Sequence, residues 1–218
     1  TTITWTITDL CQTITETADF TVTAPVAITY TAPASDNSNT CDYTDQNALD
    51  TAFNNWVDTQ TAAFSIANGC SPVLTNDSAT ASIPVLCDGG ATTITWTITD
   101  LCQTITETAD FTVTAPVAIT YTAPASDASN ASEFYDPDAT IAQANLDADI
   151  AAWLATQNAT VNGSVTDGCN PVITNDYINQ SISFCASDSI TVTWTITDLC
   201  ETINFSATYT FTQPDGIS

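Results

Sequence analysis

The sequence contains no lysine, arginine, histidine or methionine, although it contains 25 aspartate and glutamate residues. A net charge of −25 without any cationic side chain excludes nucleic acid as a partner, because phosphate binding depends on Lys and Arg. The same composition excludes attraction to anionic membrane surfaces. Since no side-chain ion pair can form within the chain, each carboxylate must be solvated, hydrogen-bonded to backbone N–H groups, or bound to a metal cation.

The absence of histidine and lysine also removes the usual general bases and activated nucleophiles. We therefore predict that the chain is not an enzyme and has no catalytic residues. No apolar run is long enough to span a bilayer, so membrane insertion is not expected, and any targeting sequence is expected to lie outside this segment. Eight cysteines without histidine or a CxxC pair favour disulfides over zinc or redox chemistry, which predicts an extracellular protein.

The chain is built from repeats. Residues 1–36 recur without change as residues 92–127, and the period from Trp5 to Trp96 is 91 residues. A third, diverged copy surrounds Trp194, 98 residues after Trp96. A period of this size predicts tandem domains, because each repeat is long enough to bury its own core.

Two hydrophobic periods alternate along each repeat. In Thr2–Thr8 and Thr13–Thr23 apolar and Thr side chains alternate, which predicts an antiparallel hairpin with one buried face. Asp45–Gln60, and roughly residues 142–155 in the second repeat, instead show the 3.6-residue period of an amphipathic helix. We predict an all-β fold of tandem immunoglobulin-like β-sandwich repeats, each with one inserted α-helix.

The domain boundaries are placed at the Ala-Pro dipeptides, where proline ends a strand. The predicted domains are the C-terminal hairpin of an upstream repeat (1–24), two complete repeats (25–115 and 116–213), and the start of a linker or next repeat (214–218).

The tryptophans have two interpretations, a carbohydrate-stacking surface or the centre of each core. All of them lie on the apolar stripe of their element, which favours the core. They are Trp5, Trp56, Trp96, Trp153 and Trp194.

Three disulfides are predicted from the positions that recur. Cys70 and Cys87 both have counterparts in the second repeat, which predicts Cys70–Cys87 and Cys169–Cys185. Cys41 has no cysteine counterpart, so it is paired with Cys102. In this scheme Cys200 stays single and Cys11 bonds, if at all, to a residue upstream.

Oxygen-rich loops before the two helices are candidate calcium sites, since Ca²⁺ takes carboxylate and amide oxygens. Their spacing fits no EF-hand and differs between the repeats, so a solvated Asx-turn loop with a helix N-cap is the alternative. No other cofactor is expected. The candidate ligands are Asp36, Asp42 and Asp45 in the first repeat and Asp127, Asp136 and Asp138 in the second.

Three motifs together resemble the repeat modules of giant cell-surface adhesins of gliding Bacteroidota, proteins of the SprB kind that are loosely related to HYR-like immunoglobulin-type repeats. They are WTITDLC followed by an alternating strand, the Leu-Asp-x-Ala-Phe-x-x-Trp helix, and Gly-Cys-x-Pro-Val. The resemblance covers nearly the whole chain. It implies a very long secreted filament, exported by type IX secretion and displayed on the cell surface for adhesion and gliding. Thr51, Ser78 and Ser189 also lie in tripeptides that look like the O-glycosylation motif of Bacteroidota.

The expected function is therefore a structural stalk segment of an adhesin filament. Its expected partners are neighbouring repeats of the same chain, surface glycans or other adhesin copies. The alternative is a glycan- or protein-binding module that acts through its loops. The hairpin of residues 92–127 is an unchanged copy while the loops beside the helix diverge, which favours the stalk.

Overall fold

The structure, a computed structural model, describes residues 1–213. The predicted segment 214–218 lies outside the described residues. The strands in this range are β1 (Thr2–Thr8), β2 (Thr13–Asp19), β3 (Asp36–Asn39), β4 (Val73–Asn76), β5 (Gly90–Thr99), β6 (Thr104–Thr114), β7 (Asp127–Asn130), β8 (Val172–Asn175), β9 (Asp188–Thr197) and β10 (Thr202–Thr212). The helices are α1 (Gln46–Ala63), α2 (Ala131–Phe134) and α3 (Ala139–Ser164), with 3-10 turns at Thr40–Asp42 and Ser78–Thr80.

The two sequence repeats share one sheet topology. The first repeat has the strand order β3-β6-β5-β4 and the second has the order β7-β10-β9-β8. In both, the short edge strand before the helix pairs in parallel with the long C-terminal strand, and the other edge strand is antiparallel to its neighbour. The hairpin β1-β2 forms a two-stranded antiparallel sheet of its own.

The chain divides into two compact units. One contains residues 1–34, 56–81 and 93–109, and the other contains 35–55, 82–92 and the residues from 110 onward. Because the divisions fall within α1, β5 and β6, the units do not coincide with the sequence repeats.

The core of the second unit lies between α3 and one face of its four-stranded sheet. Leu146, Ile150 and Trp153 of α3 belong to one buried cluster with Trp194 and Tyr209 of the sheet. The rings of Trp153 and Trp194 meet edge to face with centroids 6.4 Å apart. Burial of each such large side chain contributes about 1.5–3 kcal/mol to the free energy of folding.

The first unit repeats the same tryptophan contact. The rings of Trp56 and Trp96 meet edge to face at 5.7 Å, and Trp96 is fully buried. Trp56 Nε1 donates to Ala34 O at 3.1 Å, and Trp96 Nε1 donates to Thr61 Oγ1 at 2.8 Å. Both indole N–H groups are thus satisfied inside the core, as buried Trp requires.

Both predicted helices are confirmed, and the second is longer than predicted. Residues 156–164 are rich in Asn, Thr and Gly, which are weak helix formers. Tertiary contacts hold this end in place, because Val161 is fully buried and Gln157 Oε1 accepts from Ala125 N at 2.8 Å.

The prediction of a β-rich fold with inserted helices is confirmed. An immunoglobulin-like sandwich needs two sheets packed face to face. The buried cluster described for the second unit instead combines a helix with a single sheet. Among residues 1–213, no helix has both the length and the hydropathy needed to cross a bilayer.

Candidate functional site

Three turns of identical sequence, Asp-Leu-Cys, follow β1, β5 and β9. In the last of them, Asp198 Oδ1 accepts from the backbone N–H groups of Cys200 at 2.8 Å and Glu201 at 2.7 Å. The same two bonds recur at Asp100 and at Asp9. Such an Asx turn closes the hairpin, so the motif places one cysteine at the end of each hairpin.

The second carboxylate oxygen brings another cysteine to the same place. Asp198 Oδ2 accepts from Cys169 N at 2.7 Å, and Asp100 Oδ2 accepts from Cys70 N at 3.0 Å. Each of these aspartates therefore gathers one cysteine from the Gly-Cys loop and one from its own turn. We name these two arrangements the aspartate–cysteine sites.

Backbone donors set the charge state of these aspartates. Partial burial raises the pKa of the Asp198 carboxyl, but the N–H groups of Cys169, Glu201 and Cys200 together outweigh it, so the pKa lies below its ordinary value. The pKa of Asp100 is also lowered, first by the N–H of Cys70 and then by that of Cys102. Both sites therefore keep a carboxylate anion without any cationic side chain.

A glycine before each loop cysteine is required by the geometry. Gly168 has φ +69°, and a Cβ there would lie 2.6 Å from Ile119 Cγ1 and 2.7 Å from Asp198 Oδ2. Gly69 has φ +74° and would make the equivalent clashes with Ile28 and Asp100. Only glycine allows this close approach of backbone to carboxylate.

A second pair of cysteines lies at the start of α1. Asn39 Oδ1 accepts from Cys41 N at 2.9 Å, which caps the 3-10 turn. The neighbouring Thr40, fully buried, donates through Oγ1 to Leu86 O at 2.5 Å. Because Thr40 and Leu86 directly precede Cys41 and Cys87, this bond brings the two cysteines close together.

Two disulfides join the first sequence repeat to the second. Cys41 is bonded to Cys169, with the Cα atoms 5.0 Å apart, and Cys87 is bonded to Cys200, with the Cα atoms 5.5 Å apart. Both cysteines of the aspartate–cysteine site around Asp198 are thus bonded to cysteines of the first repeat, Cys41 and Cys87. Disulfides are confirmed, and they are typical of proteins in oxidising compartments.

These bonds show that the predicted pairings are wrong, namely Cys70–Cys87, Cys169–Cys185 and Cys41–Cys102. The prediction that Cys200 is unpaired is also wrong. The prediction assumed that two recurring cysteines bond within one repeat. The backbone instead ties Cys70 to the turn of Cys102 through Asp100, whereas Cys87 lies beside Cys41.

Four cysteines within the described residues form no disulfide, namely Cys11, Cys70, Cys102 and Cys185. Burial raises the pKa of the Cys70 thiol, and the neighbouring Cys102 and Asp100 raise it further. Asp100 accepts from the backbone N–H groups of both Cys70 and Cys102, which places these two cysteines side by side. The sequence did not lead us to predict that Cys70 and Cys102 meet at Asp100, although the repeated Asp-Leu-Cys and Gly-Cys motifs were visible.

The candidate calcium ligands act as backbone caps in the structure. Asp42 Oδ2 accepts from Asn39 N, Asp45 Oδ1 from Ala48 N, and Asp138 Oδ1 from Thr140 N. Asp36, Asp127 and Asp136 each accept a backbone N–H one or two residues later. Among residues 1–213, no three carboxylate, Cys or His side chains come together in a group that could hold a metal ion.

The candidate glycosylation residues lie on separate elements. Thr51 is exposed on α1 and Ser189 is exposed in β9, whereas Ser78 is half-buried in its 3-10 turn. Thr51 Oγ1 donates to Asn47 O at 2.8 Å, and Ser78 Oγ donates to Asn76 Oδ1 at 2.6 Å.

Comparison with known proteins adds little to this geometry. No protein-family model matches the chain, and no curated protein matches its sequence. Among solved structures it is similar to an endo-fucoidan hydrolase from glycoside hydrolase family 107, at 9% identity and a TM-score of 0.25. The likeness covers 99% of this chain and 34% of that one, so this chain spans about a third of the hydrolase's length.

This likeness to a hydrolase overturns the prediction that the chain is not an enzyme, and we withdraw that prediction. At this identity and TM-score it assigns no activity to the chain.

Proposed function

We propose that the chain is a stalk segment of a long secreted cell-surface adhesin filament that serves adhesion and gliding. The observation that carries the proposal is the pair of disulfides between the two sequence repeats, Cys41–Cys169 and Cys87–Cys200. A stalk transmits load from one repeat to the next. Two covalent bridges provide a path for that load that does not depend on non-covalent packing.

The size of the bridged segments supports this role. The Cys41–Cys169 bond spans 128 residues of sequence, and the Cys87–Cys200 bond spans 113. A force applied to the two ends of the chain therefore bypasses most of the second unit and the Ala115-Pro116 junction. In addition, the chain offers trypsin-like proteases no cleavage site, which suits exposure outside the cell.

Single-molecule pulling between residues 1 and 213 tests the proposal. The oxidised chain should unfold to a short contour length, and dithiothreitol under load should then add roughly 450 Å, because the 128 bypassed residues extend at about 3.5 Å each. Cys41→Ser should shorten this reductant-dependent gain to roughly 400 Å, since only the 113-residue bridge remains. Cys185→Ser is the matched control and should change nothing.

An oxidised chain that extends fully under the same load would contradict the stalk proposal. Tight binding of the isolated chain to glycans or cell surfaces would favour the alternative, a module that captures its target through loops. Both measurements use the same purified protein.

A further inference from the structure

The hairpin β1-β2 has an exposed apolar face. The same face is buried in its identical copy, the hairpin β5-β6. Residues 1–36 and 92–127 have the same sequence, yet Trp5 is 52% exposed and Trp96 is fully buried. Ile3 and Ile7 are likewise about half to two-thirds exposed, at 48% and 68%. A hairpin with a bare apolar face of this kind is marginal in water.

The copy shows what covers this face. Trp96 packs against Trp56 of α1, and Phe111 packs edge to face on Phe53 of the same helix with ring centroids 5.5 Å apart. The strands β3 and β4 pair with the copied hairpin on its two edges. All of these covering elements lie within residues 25–91.

The site around Asp100 points to the same occupant. Its counterpart around Asp198 has both cysteines bonded to Cys41 and Cys87, which also lie within residues 25–91. Cys70 and Cys102 hold the same positions on Asp100, with the same backbone bonds, and carry thiols.

We propose that β1-β2 and the site around Asp100 together receive one further strand–helix module of the kind seen at residues 25–91, from a preceding repeat. Its helix covers Trp5, its two edge strands pair with β1 and β2, and its two cysteines bond to Cys70 and Cys102. The inference rests on the proposed function and names the partner of the stalk segment as another repeat joined by the same double bridge.

The second repeat has only one of the two cysteines with which residues 25–91 form their bridges. Cys185 occupies the position of Cys87, since Phe184 N and Leu86 N both donate to a helix Gln, Gln143 and Gln46 respectively. Ser132 occupies the position of Cys41, at the same Asn-capped turn. Toward a following repeat of the same kind, the second repeat would thus present one cysteine, Cys185, where residues 25–91 present two.

Each new bridge requires a two-electron oxidant, for which oxidised glutathione is suitable. The thiolate of one cysteine attacks the glutathione disulfide and releases one glutathione thiolate. The second cysteine's thiolate then attacks the mixed disulfide at the protein sulfur and releases the other. The two protein thiols lose two protons and two electrons, and the glutathione disulfide accepts both electrons.

The test adds the missing module to the complete chain. A second copy of residues 25–91 placed directly before Thr1 recreates the natural junction between residues 91 and 92, because residues 1–36 equal 92–127. Cys11→Ser is included in every protein, and Cys70→Ser is included in the added module, since the peptides around Cys11 and Cys102, and those around the two copies of Cys70, are identical in sequence. After oxidation with glutathione, digestion at acidic residues without reduction identifies the pairs.

We expect two new linked peptides, the added Cys41 with Cys70 and the added Cys87 with Cys102. Thiol titration should lose Cys70, Cys102 and their two new partners. A Cys70–Cys102 peptide, or thiols that persist at both positions, would overturn the inference. The Cys41–Cys169 and Cys87–Cys200 peptides are read in the same digest, and their absence would instead contradict the proposed function.

Tryptophan fluorescence tests the covered face separately. The fluorescence emission of Trp5 is obtained as the difference between each protein and its Trp5→Phe variant. In the extended chain this emission should shift to shorter wavelength and resist quenching by acrylamide. The extended chain with Ser at the added Cys41 and Cys87 should keep this shift without the bridges. A Trp5 signal that stays as accessible as in the original chain would show that the module does not cover the hairpin.

Discussion

Asp198 shows how an acidic chain without cations holds its carboxylates. Its two oxygens accept three backbone N–H groups, from Cys169, Cys200 and Glu201. Backbone dipoles therefore replace the Lys and Arg partners that most proteins use, and they do so where two disulfides meet.

Asp198→Asn should lower the free energy of unfolding by about 1–2 kcal/mol at pH 7, because hydrogen bonds to a charged acceptor are lost. Since the folded-state pKa of Asp198 lies below the unfolded value, its stabilisation is present above about pH 4 and is lost as pH falls through the folded pKa. The difference between variant and parent, measured by urea unfolding, should therefore shrink below pH 4. Asp58→Asn, on the exposed face of α1, is the control for removing one charge, and a difference independent of pH would contradict the argument.

Gly168→Ala should destabilise the chain by about 2–4 kcal/mol, because the new Cβ adopts a positive φ and overlaps Ile119 and Asp198. Gly163→Ala is the matched control. Gly163 lies in α3 with open space around it, so alanine there should stabilise by up to about 1 kcal/mol. Equal urea midpoints for the two variants would refute the steric argument.

At the scale of elements, the chain contains one hairpin in two environments. The sequence of β1-β2 recurs in β5-β6, but only the second copy has a helix over its apolar face. Identical local sequence therefore yields different burial, because the covering helix comes from another part of the chain.

Trp96→Ala should cost about 3–5 kcal/mol of unfolding free energy, the usual loss for a fully buried aromatic side chain. Trp5→Ala changes the same residue in the same local sequence and should cost less than about 1 kcal/mol, because its side chain is half exposed. Differential scanning calorimetry of the two variants checks this. Similar losses at both positions would mean that the β1-β2 face is already covered.

The helices and hairpins were predictable because their signal is local. The 3.6-residue period of Leu49, Phe53 and Trp56, and the alternation in Thr2–Thr8, are both read from neighbouring residues. The parallel pairing of β3 with β6 was not predictable, since Asp36 meets Phe111 only after the intervening chain has folded.

The candidate site was predictable in part. Repetition marked Gly-Cys and Asp-Leu-Cys as structural motifs, but the bonded partners depend on which ends of successive repeats meet. Cys41 and Cys169 are separated by 128 residues, and no periodicity in either segment encodes their contact.

At the scale of the whole molecule, repulsion among 25 negative charges has no internal counterion. Added NaCl should raise the melting temperature, because screening removes repulsion that no ion pair offsets. A melting temperature that does not respond to NaCl would refute this.

Millimolar Ca²⁺ at matched ionic strength tests the calcium interpretation. A further rise that disappears in Asp42→Asn/Asp45→Asn would support a bound ion.

The order of the bonded cysteines along the chain has a consequence for damage. The two bridges interleave, since Cys87 lies between Cys41 and Cys169, and Cys169 lies between Cys87 and Cys200. A single break of the backbone anywhere from residue 88 to 168 leaves the two fragments joined by both bonds. A filament linked in this way can be cut once in each such stretch and still keep its ends together.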